Sequence, residues 1–381
     1  MTTKKKILFL LQGLQIGGLE NVVYNLSKAV NAKGIFDVEI CCYDTLGTYL
    51  EDLEREGVKV HYIARKRGFD WTYPFKVAGL IRNRKIDVLH AHNYTACFYG
   101  ALAAFLARKP MIYTEHDHSY ASSAYVSIVG KILKKITSKR VCVSVEVKNA
   151  LKKFGTIDDI EVVYNGIDEN IFKSIGSEEK ANKRQDLGFK KEDTLLGVVG
   201  RLDEMKNQTI LLDMLAQLKQ TAPNAKLIIV GRGKTELFLK SKVEKMGLTK
   251  NVSFMGEIRN VHNVLSMLDI FLLPSLSEGL PLSIIEAMAS GLPVIASKVG
   301  GIPELITNDL NGYLVEAGNK NAFMEATEKL VKNTNTQKTM GRENRSKFLK
   351  TFSLSKMAHR YVEIYKALSC KTQTSGETCA E

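Results

Sequence analysis

Cysteines are few in this sequence and long apolar runs are missing. The two shortages argue against a disulfide-rich or zinc-binding protein and against a membrane-spanning one. Six cysteines stand among 381 residues, at positions 41, 42, 97, 142, 370 and 379, and none has the spacing of zinc ligands. The adjacent Cys41 and Cys42 do not form a disulfide framework, so we expect reduced thiols in a cytoplasmic protein. The longest apolar run, residues 96–107, has twelve residues and is too short to span a bilayer.

We do not expect a secretion signal in the first residues of the sequence. Basic residues open the chain, and only five apolar residues follow, at 7–11. A signal peptide needs a longer apolar core and a small-residue cleavage site after it. We therefore interpret residues 7–11 as a buried first strand.

Basic charge, by contrast, is abundant, with a net charge of +13 and a pI near 9.2. Such a balance favours nucleic acid, a membrane surface or an acidic substrate as the partner. Residues 98–155 carry ten Lys and Arg against three acids, so more than half of the excess charge lies in this stretch. A nucleic-acid partner would depend on charge alone, because neither zinc-finger spacing nor the aromatic run of an RNA-binding motif is present.

Short apolar strands alternate with amphipathic segments, which is the pattern of parallel α/β domains. The strands predicted in the first half are 7–11, 38–42, 58–63, 88–91, 111–114, 140–144 and 162–164, with helices at 21–30, 74–83 and 126–139. A turn at 165–168 and a polar segment to residue 193 follow. The pattern then restarts, with strands at 195–199, 226–230, 252–255, 270–273 and 293–296 and helices at 208–218, 235–246, 260–267, 282–290 and 353–368.

This repetition predicts two Rossmann-like parallel-sheet domains that face each other across a cleft. We place an N-terminal domain at 1–172, a C-terminal domain at 173–352, a helix at 353–369 that crosses back to the first domain, and a disordered tail at 370–381. Ligands of such sheets bind outside the carboxyl ends of the strands. Motifs that directly follow a strand are therefore the candidates for a functional site.

The most informative motif follows the strand 270–273 and reads LPSLSEGLPLSIIEAMA over residues 273–289. A Ser/Gly/Pro loop opens a helix near Leu282, and the free N–H groups of a helix N-terminus form a natural phosphate site. Glu278 lies in the loop before this helix, and Glu286 lies one turn into it. Two carboxylates would thus flank one anion site.

This segment resembles the Glu-x7-Glu motif of the family-4 retaining glycosyltransferases, which have the GT-B fold, and the resemblance covers nearly the whole chain. It implies that Glu278 binds hydroxyls of the donor sugar and that Glu286 binds the ribose of a nucleotide-sugar. Residues of the turn between them are implied to bind the donor diphosphate: Gly279, Leu280, Pro281, Leu282 and Ser283.

A second motif, VGRLDEMK at 199–206, follows the strand 195–199. Two fixed cations, Arg201 and Lys206, would neutralise the charge that develops on a diphosphate leaving group. The family resemblance implies this role for both. Glycosyltransferases of the other common fold hold a metal with Asp-x-Asp, which this sequence lacks, so we expect metal-independent transfer and no cofactor.

Three weaker signals follow other strands. GLQIGGLE at 13–20 places Gly17 and Gly18 where backbone can approach a ligand closely, and TEHDH at 114–118 places His116 where the family has a histidine near the donor sugar. The acids and histidines of TEHDH also allow a metal site, although adjacent residues at a strand end point apart. Ile258 matches a family position whose backbone contacts the nucleotide base.

A basic amphipathic segment, VSIVGKILKKITSKR at 126–140, indicates peripheral contact with an anionic membrane. Its apolar stripe is predicted to pack on the sheet, while its cations remain available to phospholipid. These cations are Lys131, Lys134, Lys135, Lys139 and Arg140.

Together these patterns and the family resemblance imply an enzyme that transfers a sugar from a nucleotide-sugar donor to a glycan or lipid-linked glycan acceptor, and the resemblance implies retention of anomeric configuration. We favour a UDP-sugar over a GDP-sugar, a role in surface polysaccharide or glycolipid synthesis, and a place at the cytoplasmic face of the membrane. His116, Glu278, Arg201 and Lys206 are the predicted catalytic residues. A non-hydrolysing sugar-nucleotide epimerase of the same fold and a basic nucleic-acid-binding protein are the alternatives.

Overall fold

Two all-parallel sheets correspond to the two halves of the sequence pattern, and the fold class of two Rossmann-like domains is confirmed. The computed structural model describes residues 4–116, 136–153 and 159–371. The chain divides into two compact units: Met1–Gly166 together with Leu354–Glu381, and Ile167–Ser353.

The sheet of the first unit has the strand order β3-β2-β1-β4-β5-β6-β7. Its strands are β1 (Lys5–Leu11), β2 (Phe36–Cys42), β3 (Lys59–Tyr62), β4 (Val88–His92), β5 (Met111–Glu115), β6 (Lys139–Cys142) and β7 (Ile160–Val162). Its described helices are α1 (Gly18–Ala32), α2 (Leu50–Arg55), α3 (Tyr73–Asn83), α4 (Tyr94–Ala107), α5 (Val145–Lys153) and the C-terminal Leu354–Lys371. The predicted first strand is central and buried along residues 7–11, as expected for a strand covered on both faces.

The sheet of the second unit has the strand order β10-β9-β8-β11-β12-β13. Its strands are β8 (Thr194–Val199), β9 (Ala225–Val230), β10 (Val252–Gly256), β11 (Ile270–Leu273), β12 (Val294–Ser297) and β13 (Gly312–Val315). Its helices are α6 (Ser177–Asp186), α7 (Thr209–Leu218), α8 (Glu236–Lys245), α9 (Val261–Leu265), α10 (Leu282–Ala289), α11 (Ile302–Leu305), α12 (Lys320–Val331) and α13 (Thr334–Thr351).

Each sheet has one point at which the strand order reverses, between β1 and β4 in the first unit and between β8 and β11 in the second. Successive connections leave such a point on opposite faces of the sheet, so a crevice opens there at the carboxyl ends of the strands. The motifs 13–20, 199–206 and 273–289 directly follow β1, β8 and β11. The sequence motifs therefore stand at the topological switch points of both sheets.

The polar segment after residue 168 contains a helix that the sequence pattern did not indicate. Helix α6 has almost no apolar face and is held by tertiary contacts instead. The Arg184 guanidinium donates to the Met267 carbonyl at 2.6 and 2.9 Å and pairs with Asp269 at 2.7 Å. Lys180 pairs with the same Asp269 carboxylate at 2.9 Å.

Other boundaries also differ from the prediction. Strand β7 ends where the predicted strand 162–164 begins. The elements that were not predicted at all are β13, α2, α4, α5, α11, α12 and α13. Most of the predicted helix 126–139 lies outside the described residues, but its last residue, Lys139, begins strand β6. The C-terminal helix continues through Lys371, so Cys370 is helical rather than part of a tail, and residues 372–381 lie outside the described part.

Candidate functional site

The loops after β8 and β11 lie side by side in the second unit. The two strands are paired in parallel, so their carboxyl ends meet at one edge of the sheet. The backbone N–H of Leu276 donates to the Met205 carbonyl at 2.7 Å and ties the loops together. Residues 201–206 and 275–283, which are far apart in the sequence, thus form one cluster.

The Glu278 carboxylate is the centre of this cluster. Its Oε1 lies 2.5 Å from Lys206 Nζ and accepts a hydrogen bond from Ser275 Oγ at 2.6 Å. Glu278 is 9 % exposed and Ser275 is fully buried. The carboxylate is therefore fixed on one oxygen, while no hydrogen bond or ion pair joins its Oε2 to a described residue.

Lys206 is positioned by a short 3-10 helix, Glu204–Lys206. The Asp203 carboxylate caps this helix by accepting from the Lys206 backbone N–H at 3.0 Å. The second oxygen of Asp203 lies 2.5 Å from Arg201 Nε, and Arg201 remains largely exposed. One acid thus orients both cations and leaves the terminal guanidinium nitrogens of Arg201 without a partner among the described residues.

The start of helix α10 offers free backbone donors beside this cluster. Pro281 is the N-cap residue, and no side chain caps the helix. Within the described residues, the N–H groups of Leu282 and Ser283 donate to no acceptor. These groups and the positive end of the helix dipole suit a bound phosphate.

The turn before α10 is braced by two glycines that follow β12. The Gly301 N–H donates to the Gly279 carbonyl at 2.8 Å. Gly300 has a φ of +51°, and a Cβ at this position would lie 1.8 Å from the Glu278 carbonyl oxygen. Only glycine fits here, because any side chain would displace the backbone that carries Glu278.

Glu286 lies one turn into α10 and is 6 % exposed. No described residue donates a hydrogen bond to its carboxylate or forms an ion pair with it. Burial raises the pKa of Glu286 to about 7. A buried carboxyl without a protein partner is costly, which makes Glu286 a candidate for contact with a ligand.

The segment after β10 brings Ile258 to the same sheet edge. Gly256 ends β10 with a φ of +67°, and its carbonyl accepts from the Gly231 N–H at 2.7 Å. A Cβ at Gly231 would lie 2.0 Å from the Gly200 carbonyl oxygen, so the loops after β8, β9 and β10 touch through glycine backbone. Ile258 is half-buried directly beyond this contact.

In the first unit, Gly17 and Gly18 stand at the N-terminus of α1, after β1. Gly17 has extended backbone geometry, and the Glu20 carboxylate lies against it. Burial raises the pKa of Glu20. A phosphate at this helix end would have to displace or neutralise that carboxylate, and the donor contact predicted for the two glycines stays a prediction.

His116 ends the described part of the segment after β5 and is joined to His92 of β4. The distance between His92 Nδ1 and His116 Nε2 is 3.2 Å. Burial lowers the pKa of His116 to about 4, so its imidazole is neutral at physiological pH. Burial lowers the pKa of His90 and His92 as well, and both side chains are fully buried.

The acids and histidines of residues 114–118 do not assemble a metal site where they are described. Glu115 Oε1 accepts from the His116 backbone N–H at 3.1 Å, and its other oxygen accepts from the Tyr113 hydroxyl. Asp117 and His118 lie outside the described residues. In the described part of the chain, no group of three or more His, Cys, Asp or Glu side chains could hold a metal ion.

Only two of the five cations predicted to contact a membrane, Lys139 and Arg140, belong to the described residues. Lys131, Lys134 and Lys135 lie outside the described residues. Lys139 pairs with Glu161 at 3.2 Å, and Arg140 is only 8 % exposed within β6. The structure therefore does not favour Lys139 and Arg140 as lipid contacts, because their charges are already paired or buried. Among the described helices, none has both the length and the apolar character to cross a membrane.

Two positioning residues of the site were missed in the sequence. Ser275 belongs to the same loop as Glu278 but carries no signal apart from being a serine in a turn. Asp203, three residues before Lys206, has the placement of a capping residue and was a recognisable signal.

Comparisons with known proteins show glycosyltransferases among the relatives of this chain. A protein of Escherichia coli described as UDP-Gal:alpha-D-GlcNAc-diphosphoundecaprenol alpha-1,3-galactosyltransferase is 28 % identical over 347 residues, 87 % of this chain and 89 % of that protein. An uncharacterised glycosyltransferase of Methanocaldococcus jannaschii is 30 % identical over 371 residues, 93 % of this chain and 95 % of its own. Anabaena Alr3699/HepE in complex with UDP superposes with a TM-score of 0.84 at 25 % identity, covering 95 % of this chain and all of that one.

The fold and these relatives show a glycosyltransferase with the GT-B fold, as the sequence predicted. The model of glycosyl transferases group 1 matches residues 179–347, and the model of Glycosyltransferase Family 4 matches residues 16–171. The chain therefore belongs to the family-4 glycosyltransferases.

Proposed function

We propose that this glycosyltransferase moves a sugar from a UDP-sugar to a glycan acceptor with retention of anomeric configuration. The observation that carries the proposal is the Lys206–Glu278 ion pair beside the free N–H groups at the start of α10. It combines a carboxylate for sugar hydroxyls with donors for a diphosphate. The UDP bound to Anabaena Alr3699/HepE and the UDP-Gal in the description of the Escherichia coli relative support the choice of nucleotide.

In this proposal each group of the second unit has one role. The free Oε2 of Glu278 accepts from hydroxyls of the donor sugar, and Glu286 accepts from the ribose hydroxyls. The N–H groups of Leu282 and Ser283 donate to the diphosphate. An ammonium has three donors, so Lys206 can hold Glu278 and a phosphate oxygen at once.

Transfer then proceeds on the face of the sugar from which UDP departs. The bond between the anomeric carbon and the diphosphate oxygen breaks, the acceptor oxygen bonds to the same carbon, and the departing diphosphate takes the acceptor proton. Arg201 and Lys206 stabilise the negative charge that develops on the leaving group. We expect no divalent ion to be required, because these two cations supply the positive charge.

We further propose that the acceptor is a lipid-linked glycan and that the enzyme acts at the cytoplasmic face of a membrane. The Escherichia coli relative is described as acting on a diphosphoundecaprenol-linked sugar. The basic charge of the first unit suits a surface of anionic lipid.

A thermal-shift experiment with UDP, GDP and ADP tests the donor site. A nucleotide at a hundred times its dissociation constant adds about 2.7 kcal/mol to the free energy of unfolding. We expect stabilisation by UDP and its loss in Lys206→Ala, but not in Lys242→Ala. Lys242 is a matched control, because it is also a partly buried lysine paired with an acid, Asp213, at 2.8 Å. The absence of a shift with UDP would overturn the proposal.

A further inference from the structure

The first unit exposes several large aromatic side chains in one short segment between β3 and α3. Phe69, Trp71 and Phe75 are 47 %, 73 % and 66 % exposed. Trp71 is the single tryptophan of the chain. Phe69 and Trp71 are in ring contact, with centroids 4.3 Å apart. Exposed apolar side chains that cluster in this way mark an interaction surface.

Helix α4 extends this apolar surface. Phe69 packs edge-on against Phe98 of α4, with ring centroids 5.5 Å apart. Leu102 and Phe105 follow Phe98 on the same helical face, and Phe105 is 68 % exposed. The helix has no charged residue over its fourteen positions, so its outer face is apolar as well as its buried one. We call Phe69, Trp71, Phe75, Phe98, Leu102 and Phe105 the aromatic patch.

The segment that carries the patch is tightly held rather than loose. The Asp70 carboxylate accepts from the backbone N–H groups of Lys66 and Thr72, both at 3.0 Å, and from the Thr72 hydroxyl at 2.7 Å. The Asp70 N–H donates to the Tyr99 hydroxyl at 3.0 Å. The aromatic side chains are thus presented by a fixed backbone, which lowers the entropy cost of binding through them.

The segment that carries Phe69, Trp71 and Phe75 is strongly basic, and an acid from outside it, Asp44, binds Arg65 at 3.5 Å. Lys66, Arg67 and Lys76 are exposed and form no ion pair with a described residue. The sequence from residue 57 to residue 85 has eight Lys and Arg and a single acid, Asp70. That acid is buried and its oxygens are occupied by the segment itself, so it offers little to a ligand. An aromatic surface with a basic rim is complementary to the headgroup region of an anionic bilayer.

A carbohydrate is the other common partner of exposed aromatics, and the patch suits it less well. Sugar recognition adds carboxylates or amides that bind hydroxyls in the plane of the ring. Asp70 is the only acid in the segment, and it is already saturated. Trp71 also has the edge of Phe69 against its ring, with centroids 4.3 Å apart.

We propose that the aromatic patch is the surface through which this protein binds an anionic lipid bilayer. Trp71, Phe69 and Phe75 enter the headgroup region, and Lys66, Arg67 and Lys76 lie at the lipid phosphates. This inference rests on the proposed function for the lipid-linked acceptor and adds the surface that reaches it. It differs from the contact predicted at residues 131–140, which belongs to another part of the chain.

Tryptophan fluorescence tests the proposal directly, because all of the indole emission comes from Trp71. The full-length protein is mixed with vesicles of phosphatidylcholine alone or with added phosphatidylglycerol. We expect a blue shift with the anionic vesicles only, a smaller shift at high salt, and quenching by lipids brominated on their acyl chains.

Two double variants keep Trp71 as the reporter. Phe69→Ser with Phe75→Ser should remove the blue shift. Lys66→Glu with Arg67→Glu should weaken partitioning tenfold or more, since each cation near an anionic surface contributes roughly fivefold. The control is Leu237→Ser with Phe238→Ser, which removes the exposed apolar pair of the second unit, 82 % and 58 % exposed, and should change nothing.

Four results would overturn the proposal. The first two are sedimentation with anionic vesicles while Trp71 emission stays unchanged, and vesicle binding that survives both patch variants. The other two are a blue shift caused by a soluble glycan instead of vesicles, and a blue shift caused by a higher protein concentration alone. A UDP thermal shift is measured on every variant. It reports folding and the donor site independently, so failure of the lipid surface and failure of the proposed function are distinguishable.

Discussion

Replacing Glu286 by Gln should stabilise the unliganded protein while it weakens the nucleotide site. The carboxyl is buried in α10 and receives no hydrogen bond from a described residue, and its pKa is raised to about 7. Ionising it in the folded state is therefore harder than in the unfolded chain. The amide of Gln occupies the same space without a charge.

The size of the effect follows from the raised pKa. The difference from the ordinary value of 4.5 corresponds to about 3 kcal/mol once the pH exceeds both values. Below about pH 4.5 the carboxyl is protonated in both states and the penalty vanishes. The penalty grows between pH 4.5 and pH 7, so wild type should lose stability relative to Glu286→Gln over this window and remain less stable above it.

Thermal unfolding of wild type and Glu286→Gln at about pH 5 and about pH 8 measures this difference. For a unit of this size, about 3 kcal/mol raises the melting temperature by roughly 6 to 12 °C, and we expect most of the gain only at the higher pH. Glu325→Gln, an exposed acid on α12, is the control and should show no such change. Affinity for UDP should fall in Glu286→Gln, because hydrogen bonds to a charged group contribute about 1.5–3 kcal/mol each.

Two outcomes would refute this reasoning. An equal stability difference at both pH values would show that the charge of Glu286 is not its source. Unchanged UDP affinity in Glu286→Gln would show that the ribose hydroxyls bind elsewhere.

Three further predictions concern the neighbours of Glu278. Lys206→Ala should lower the turnover of transfer by roughly a hundredfold or more. The activity of the wild type and of this variant should resist EDTA. A rescue of activity by a divalent metal ion in a sugar-transfer assay would contradict this. Ser275→Ala should lower turnover up to roughly tenfold by freeing the Glu278 carboxylate, yet leave UDP affinity intact in titration calorimetry; a fall in both would mean that the loop itself has been disrupted. Gly300→Ala should destabilise the fold and abolish transfer, whereas Gly318→Ala, also at positive φ but in open space, should retain activity; thermal unfolding and the transfer assay compare them.

The sequence pattern predicts most of the strands because their apolar residues are grouped between turns. β11 is found at its predicted residues, and α10 ends within one residue of its predicted end. Both follow from a buried apolar run that ends at a loop rich in Pro and Gly. The family resemblance then indicates which residues after these strands to examine.

Elements without an apolar period could not be predicted in this way. Helix α13 is mostly polar, and it is held by Asn344, whose side-chain amide donates to the carbonyls of Leu292 and Asn311 at 2.7 Å. Helix α6 depends in the same way on Arg184 and Asp269. Such contacts join residues far apart in the chain, so no local pattern reports them.

The candidate site shows the same division. Glu278, Lys206 and Arg201 are visible in the sequence as charged residues after predicted strands. The pairing of Glu278 with Lys206 cannot be read from the sequence. It requires β8 and β11 to be neighbours and the loops that follow them to meet at Leu276 and Met205. The pKa of Glu286 likewise depends on burial that only the packed structure provides.

The C-terminal helix Leu354–Lys371 is the last described element of the first unit to be synthesised. Tyr365 of this helix packs against Phe9, and its hydroxyl is hydrogen-bonded to His90 Nδ1 at 2.8 Å. The core of the first unit therefore contains residues from the early and the late part of the sequence. The second unit, Ile167–Ser353, is one uninterrupted stretch and contains all the residues of its own sheet. During translation the residues of the second unit are therefore all synthesised before the first unit is complete. Until the C-terminal helix has been synthesised, part of the interior of the first unit remains exposed. Truncations near the C-terminus are therefore expected to damage the N-terminal half of the protein.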